Sequence, residues 1–119
     1  MADLATATAA TGAELDRVSR VLQDHATDLA DLVGRARVLE ERARSAGLEV
    51  RDGRVEVAWG VTGPADAAAD RERDAERLAI QAALDLVLAQ HRRRRDWVLG
   101  VLRDSTGGLA DASRRVRQG

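Results

Sequence analysis

At 119 residues the chain can form one small domain, and 45% of its residues are hydrophobic while 33% are charged. It contains no Phe, Tyr or Cys, which argues against a large enzyme-like cavity and excludes disulfides and thiolate metal sites. The net charge of -1 gives no overall field that would attract nucleic acid or a membrane surface. All 19 basic residues are arginine, a usage typical of high-GC genomes.

The N-terminal segment, residues 1–11, is rich in Ala and Thr and is predicted to fray. It lacks a basic region followed by an apolar core, so a cleavable signal peptide is not expected. No stretch approaches the roughly 20 apolar residues of a membrane span. We therefore expect a protein that is cytoplasmic or is secreted without a cleavable signal peptide.

A first helix is predicted over about 12–46. Thr11 and Glu14 have the spacing of a capping box at its start, and Gly47 is suited to its end. Along this segment residues recur at alternating spacings of three and four, as one stripe of a helix requires. The stripe consists of Leu15, Val18, Leu22, His25, Leu29, Leu32, Ala36, Leu39, Ala43 and Ala46.

A β-hairpin is predicted over about 48–58. Two segments of alternating polarity flank Asp52-Gly53, a pair typical of a tight two-residue turn. This turn pairs Leu48 with Val57 and Val50 with Val55. These four residues form an apolar face, with Trp59 one step further, which is expected to cap the tip of the helical hairpin. The predicted tip residues are Val55, Val57, Trp59 and Gly60.

A second helix is predicted over about 64–104. Gly63-Pro64 is typical of a helix start, and Thr106-Gly107-Gly108 predicts a break after Asp104. Its stripe consists of Ile80, Leu84, Val87, His91, Arg94, Val98 and Val101. Residues 105–119 then form a basic tail, which is either a short helix or a segment that orders on a partner.

The two stripes predict an all-α fold, a long antiparallel helical hairpin over 12–104. The second helix carries a further apolar flank, rotated by roughly a quarter turn from its stripe. This flank contains Ala79, Ala83, Leu86 and Trp97. A single hairpin would leave the flank in water, so we expect a homodimer or a heterodimer that forms a four-helix bundle. The alternative is a monomer in which the tail covers Trp97.

The antiparallel pairing brings the only two histidines, His25 and His91, opposite each other. We interpret them as a polar layer that fixes the register of the helices. The alternative is a metal site with Asp28 as a third ligand, although zinc requires three or four donors. We therefore predict no metal and no cofactor.

The run Arg92 to Arg95 points around the whole circumference of a helix, which favours ion pairs with acids on the first helix over a nucleic-acid surface. The acids expected to pair with it are Glu14, Asp16 and Asp24. No combination of nucleophile, base and orienting group is present at a sensible spacing, so an enzyme is not expected.

Two antiparallel helices in a chain of this size, with Trp59-Gly60 in the connection, resemble the WXG-type helical-hairpin proteins of actinobacterial ESX, or type VII, secretion systems. The resemblance implies a non-enzymatic secretion partner, chaperone or targeting module for a larger effector. Two alternatives remain open. One is a cytoplasmic coiled-coil regulator or structural module that binds an acidic partner or nucleic acid, and the other is a metal-binding helical bundle built on the histidines.

Overall fold

A computed structural model describes residues 2–59 and 67–118. The chain forms helix α1 (Ala2–Ser45), strands β1 (Leu48–Arg51) and β2 (Arg54–Val57), and helix α2 (Ala67–Gln118). Two helices with a two-stranded antiparallel sheet between them confirm the predicted helical hairpin. Gly60, Gly63 and Pro64 lie outside the described residues. Within the described ranges, neither helix is apolar enough over a sufficient length to cross a membrane.

Helix α1 begins at Ala2 instead of near residue 12, so the expectation of a frayed start is wrong. The hydroxyl of Thr8 donates to the carbonyl of Leu4 at 2.8 Å, a bond that Thr makes inside a helix. Glu14 does not form the predicted capping box with Thr11. Its carboxylate instead accepts a hydrogen bond from the hydroxyl of Ser105. The end of α1 is as predicted, since Gly47 has a φ of 73° and its N–H donates to the carbonyl of Arg44.

Helix α2 continues through Gly107 and Gly108 to Gln118, so the predicted break near residue 104 is also wrong. Each glycine lowers helix stability by about 1 kcal/mol, a cost that packing readily offsets. Thr106 stays within the helix by donating its hydroxyl to the carbonyl of Leu102 at 2.8 Å. The following residues Leu109 and Ala112 are half-buried. The basic tail is therefore the last part of α2.

The described residues divide into two compact units. The first, here called the hairpin unit, contains residues 30–59 and 67–91, which include both strands. The second, here called the terminal unit, contains residues 2–29 of α1 and 92–118 of α2.

The core of the hairpin unit is built by all four elements. Ile80 is fully buried, and it packs with buried side chains from both helices and both strands. These are Leu39 and Ala43 of α1, Leu48 of β1, Val55 of β2, and Leu84 and Val87 of α2. Burial of these side chains provides the main stabilisation of this unit.

The β-hairpin has the predicted register, with Leu48 paired with Val57 and Val50 paired with Val55. Asp52 and Gly53 have φ values of 52° and 77°. Positive φ at both central positions is the requirement of the type I′ turn, which explains the Asp-Gly pair.

Gln81 of α2 anchors this hairpin. Its Oε1 accepts the backbone N–H of Val55 at 2.7 Å, and its Nε2 donates to the carbonyl of Gly53 at 2.9 Å. The amide thus bonds the edge of β2 as a neighbouring strand would. An isolated two-stranded hairpin is only marginally stable, so this contact and the buried Val55 hold it to the helices.

In the terminal unit, the predicted stripe of α1 faces α2 only in part, because Val18, His25 and Leu29 are half-buried but Leu15 and Leu22 are exposed. Leu15 and Leu22 are 52% and 45% exposed, whereas Val18, Val21 and His25 are half-buried. Buried residues on the α2 side are Val98, Val101 and Ser105. Ser105 donates a hydrogen bond to Glu14, which lies on the same face of α1 as Val18, Val21 and His25.

Candidate interaction surface

Trp97 is the most prominent exposed aromatic residue of the terminal unit, with half of its surface in solvent. The guanidinium carbon of Arg94 lies 4.7 Å from the centre of the Trp97 ring, close enough for a cation–π interaction. The Nε of Arg94 lies 2.7 Å from Oδ2 of Asp28 on α1. This N–H is poorly aligned with the carboxylate, so the contact is an ion pair without a linear hydrogen bond.

Arg94 thus covers one side of the indole ring, and half of the surface of Trp97 remains in solvent. Asp28 holds Arg94, and Arg94 in turn contacts the ring of Trp97. Trp and Arg are the residues that most often dominate protein interfaces. The prediction that the arginine run forms ion pairs with Glu14, Asp16 or Asp24 is wrong for Arg94, because Asp28 lies closer to the level of Arg94 along the paired helices.

The remaining residues of the predicted flank belong to the hairpin unit. Leu86 is 57% exposed and Ala79 is also exposed, as expected for a surface that binds a partner. Ala83 differs, since it is half-buried and packs against the core cluster. It lies nearer to the core stripe of α2 than the other members of the flank.

Only part of the apolar face that was predicted to cap the tip of the helical hairpin is buried. Val55 is 2% exposed and belongs to the core, but Val57 is 51% exposed and Trp59 is 96% exposed. Gln81 anchors the turn end of β2, so the helices cover Val55 and leave the later residues of the strand in solvent. Gly60 lies outside the described residues.

His25 and His91 are both half-buried, His25 in the terminal unit and His91 in the hairpin unit. Their pairing as a register layer stays a prediction. In the parts of the chain that the structure describes, no group of three or more His, Asp or Glu side chains is placed to hold a metal ion.

Sequence reasoning missed a groove of about 350 Å³ in the terminal unit. The hydrogen bond between Ser105 and Glu14 lies beside it, and Ser105 is 2% exposed. Charged side chains of both signs line it, namely Glu14, Arg17, Asp104, Asp111 and Arg115. Glu14, Val18, Val21 and His25 follow one another at helical spacing and therefore share one face of α1. This spacing was the sequence signal that could have placed Glu14 between the two helices.

A second polar contact between the helices lies in the hairpin unit. Arg42 and Glu76 form a bidentate pair, with distances of 2.5 Å from Nε to Oε1 and 2.9 Å from Nη2 to Oε2. The hydrogen bond from Arg42 lowers the pKa of Glu76 below its ordinary value, and it raises the pKa of Arg42. Both side chains are partly exposed, so solvent weakens the pair.

We expect the free energy of unfolding of the Glu76→Gln variant to change less with pH in the acidic range than that of the wild type. Because the pKa of Glu76 is lowered by folding, its contribution is present above the ordinary value of 4.5 and is lost as the pH falls through the lowered pKa. Urea unfolding followed by circular dichroism over this acidic range measures the effect. Glu72→Gln, an exposed change on the same helix, is the control. Equal pH dependence in wild type and Glu76→Gln would contradict this role.

Comparison with family models, characterised proteins and solved structures finds no significant match for this chain.

Proposed function

We propose that the protein is a non-enzymatic helical interaction module that binds a helix of a larger effector and guides it to a type VII-like secretion system. It acts in the cytoplasm or is secreted with its cargo. The observation that carries the binding role is the exposed ring of Trp97, supported from α1 and α2 by Asp28 and Arg94. The secretion role is supported only by the resemblance of the chain to WXG-type helical hairpins.

A supported tryptophan favours binding for a physical reason. Its ring buries a large apolar area on contact, and it loses little side-chain freedom because Arg94 already restrains it. In the hairpin unit, Leu86 provides an additional exposed apolar position on the same helix α2. An amphipathic helix of the partner fits an exposed ring of this kind, since its apolar face can cover the ring.

We expect Trp97→Ala to weaken binding of a helical partner encoded beside this gene by at least roughly tenfold, because a buried interface tryptophan commonly contributes 2 kcal/mol or more. Isothermal titration calorimetry with the purified partner measures the loss. Trp59→Ala is the matched control, since Trp59 is 96% exposed and lies on the hairpin. Equal affinity of the Trp97→Ala variant and the wild type would rule out this surface.

Secretion is tested separately in the native host. Deletion of this gene, and separately Trp97→Ala, should reduce the amount of effector in the culture medium while a strain without the type VII ATPase exports none. Continued export in the strain without the ATPase would remove the secretion role and leave the binding role standing.

The alternative function, binding of an acidic partner or nucleic acid, has one observation in its favour. Arg92, Arg93 and Arg95 are exposed, and Arg115 and Arg117 near the end of α2 are exposed as well. Retention on heparin that falls steeply with salt would favour this alternative.

A further inference from the structure

The outer side of α1 in the terminal unit carries an uncharged stripe that neither the seam nor the α2 flank uses. It comprises Gly12, Leu15, Ser19, Leu22 and Ala26, all exposed, and we call it the α1 stripe. One third of the chain is charged, and five charged residues occur between positions 12 and 26, yet none of them falls on this stripe. They are Glu14, Asp16, Arg17, Arg20 and Asp24.

The packing of the single chain leaves much of the α1 stripe uncovered. Leu15 and Leu22 are 52% and 45% exposed. A Cβ atom added at Gly12 would meet nothing within 4 Å, so no neighbour in this chain requires a glycine there. Glycine inside a helix lowers its stability, but it allows the backbone of a second helix to approach closely.

The α1 stripe has the same pattern of sizes in both directions, small, large, small, large, small. An antiparallel copy of α1 therefore places Leu15 against Leu22 of the partner subunit and Gly12 against Ala26 of the partner subunit. Ser19 then lies against Ser19 of the partner subunit, on the two-fold axis. Such self-complementarity is the requirement of an isologous dimer interface.

The charges beside the stripe select the same partner and the same orientation. Asp16 and Arg20 are exposed, and they belong to none of the ion pairs found among the described residues. The two-fold axis at Ser19 places Asp16 near Arg20 of the partner subunit, and the symmetry repeats this pair. A parallel two-fold arrangement would instead place Asp16 and Arg20 of the partner subunit on opposite edges of the interface, so this pair could not form.

Helix α2 extends this surface through Leu99, which is 43% exposed. At about 100° per residue, Leu22 lies about 120° around α1 from Asp28, and Leu99 lies about 140° around α2 from Arg94. Asp28 and Arg94 pair on one side of the seam, so Leu22 and Leu99 lie on the other. Trp97 belongs to the side of Arg94, which separates it from the α1 stripe.

From these observations we propose that the α1 stripe binds the α1 stripe of a second copy of this chain, antiparallel and about a two-fold axis at Ser19. The proposal does not rest on the proposed function, because it uses the opposite side of the terminal unit from Trp97. A dimer of this kind leaves both copies of Trp97 accessible to other proteins.

The oligomeric state of the full chain tests the proposal directly. Sedimentation equilibrium should show a dimer, and Leu22→Glu should weaken it by at least roughly tenfold because symmetry buries each replaced leucine in both copies. Leu86→Glu, an equally exposed change outside the α1 stripe, should leave the dimer intact. Circular dichroism confirms that both variants fold. A wild-type chain that is monomeric at its highest soluble concentration, or a dimer lost only in Leu86→Glu, would overturn the proposal.

Two further variants test the axis and the orientation. The chain contains no cysteine, so Ser19→Cys should form a disulfide-linked dimer under mild oxidation, whereas Asp24→Cys on another face of α1 should not. Asp16→Arg should weaken the dimer, and the double variant Asp16→Arg/Arg20→Asp should restore it. Equal crosslinking of the two cysteine variants, or no restoration by the double variant, would contradict the antiparallel axis at Ser19.

Discussion

Replacement of Ile80 by alanine is expected to lower the free energy of unfolding by about 3 kcal/mol. Ile80 is fully buried, and the cluster around it contains residues from both helices and both strands. The smaller side chain loses buried apolar area, and it leaves a cavity that four separate elements cannot close together. Removal of this one side chain therefore weakens the attachment of the β-hairpin as well as the packing of the helices.

Urea unfolding followed by circular dichroism measures this loss. Leu78→Ala is a matched control, because Leu78 lies two positions earlier on α2 and is 55% exposed. We expect the control to lose less than about 1 kcal/mol, since most of its side chain is already in water. Similar losses in the two variants would show that Ile80 is not at the centre of the core.

Gln81→Ala is expected to cost about 2 kcal/mol, the second largest effect among these changes. The variant leaves the buried N–H of Val55 and the carbonyl of Gly53 without the amide that bonds both. A buried polar group that loses its partner costs more than the bond itself contributes. We expect the strands to separate from α2 more often, while the helices remain paired.

Amide hydrogen exchange at Val55 gives the local readout for this prediction, because opening of the hairpin exposes that N–H. Gln81→Glu provides a finer comparison, since its carboxylate can still accept from Val55 but cannot donate to Gly53. Gln90→Ala is the control, because Gln90 is exposed and bonds only the side chain of Arg35 at 3.4 Å. Unchanged exchange at Val55 in Gln81→Ala would contradict the anchoring role.

The local elements could be predicted wherever a short segment carries its own signal. Gly47 ends α1 and Asp52-Gly53 forms the turn because both need a positive φ that few other residues adopt. The alternation on both sides of that turn then determines which strand residues pair. Gln81 could not be identified in this way, because its partners lie 26 and 28 residues away along the chain.

The candidate interaction surface could also be predicted only in part. The exposure of Leu86 follows from its position off the core stripe of α2, and it was predicted from helical periodicity. The support of Trp97 by Arg94 and Asp28 was not predicted, because several acids of α1 were compatible with the same arginine. The acid that contacts Arg94 is determined only by how the two helices are rotated and how they are aligned along their axes.

By itself, the sequence determined the two amphipathic helices, the turn between the strands and the pairing of those strands, because each follows from local spacing or from backbone preference. The tertiary structure decided the start of α1, the end of α2 and the face that α1 presents in the terminal unit. The residues that meet across this unit are far apart in the chain, as Glu14 and Ser105 are at a separation of 91 positions, so local spacing does not identify them. Helical periodicity allowed either Val21 or Leu22 to lie between the helices, and only the packing of α1 against α2 half-buries Val21 and leaves Leu15 and Leu22 about half exposed.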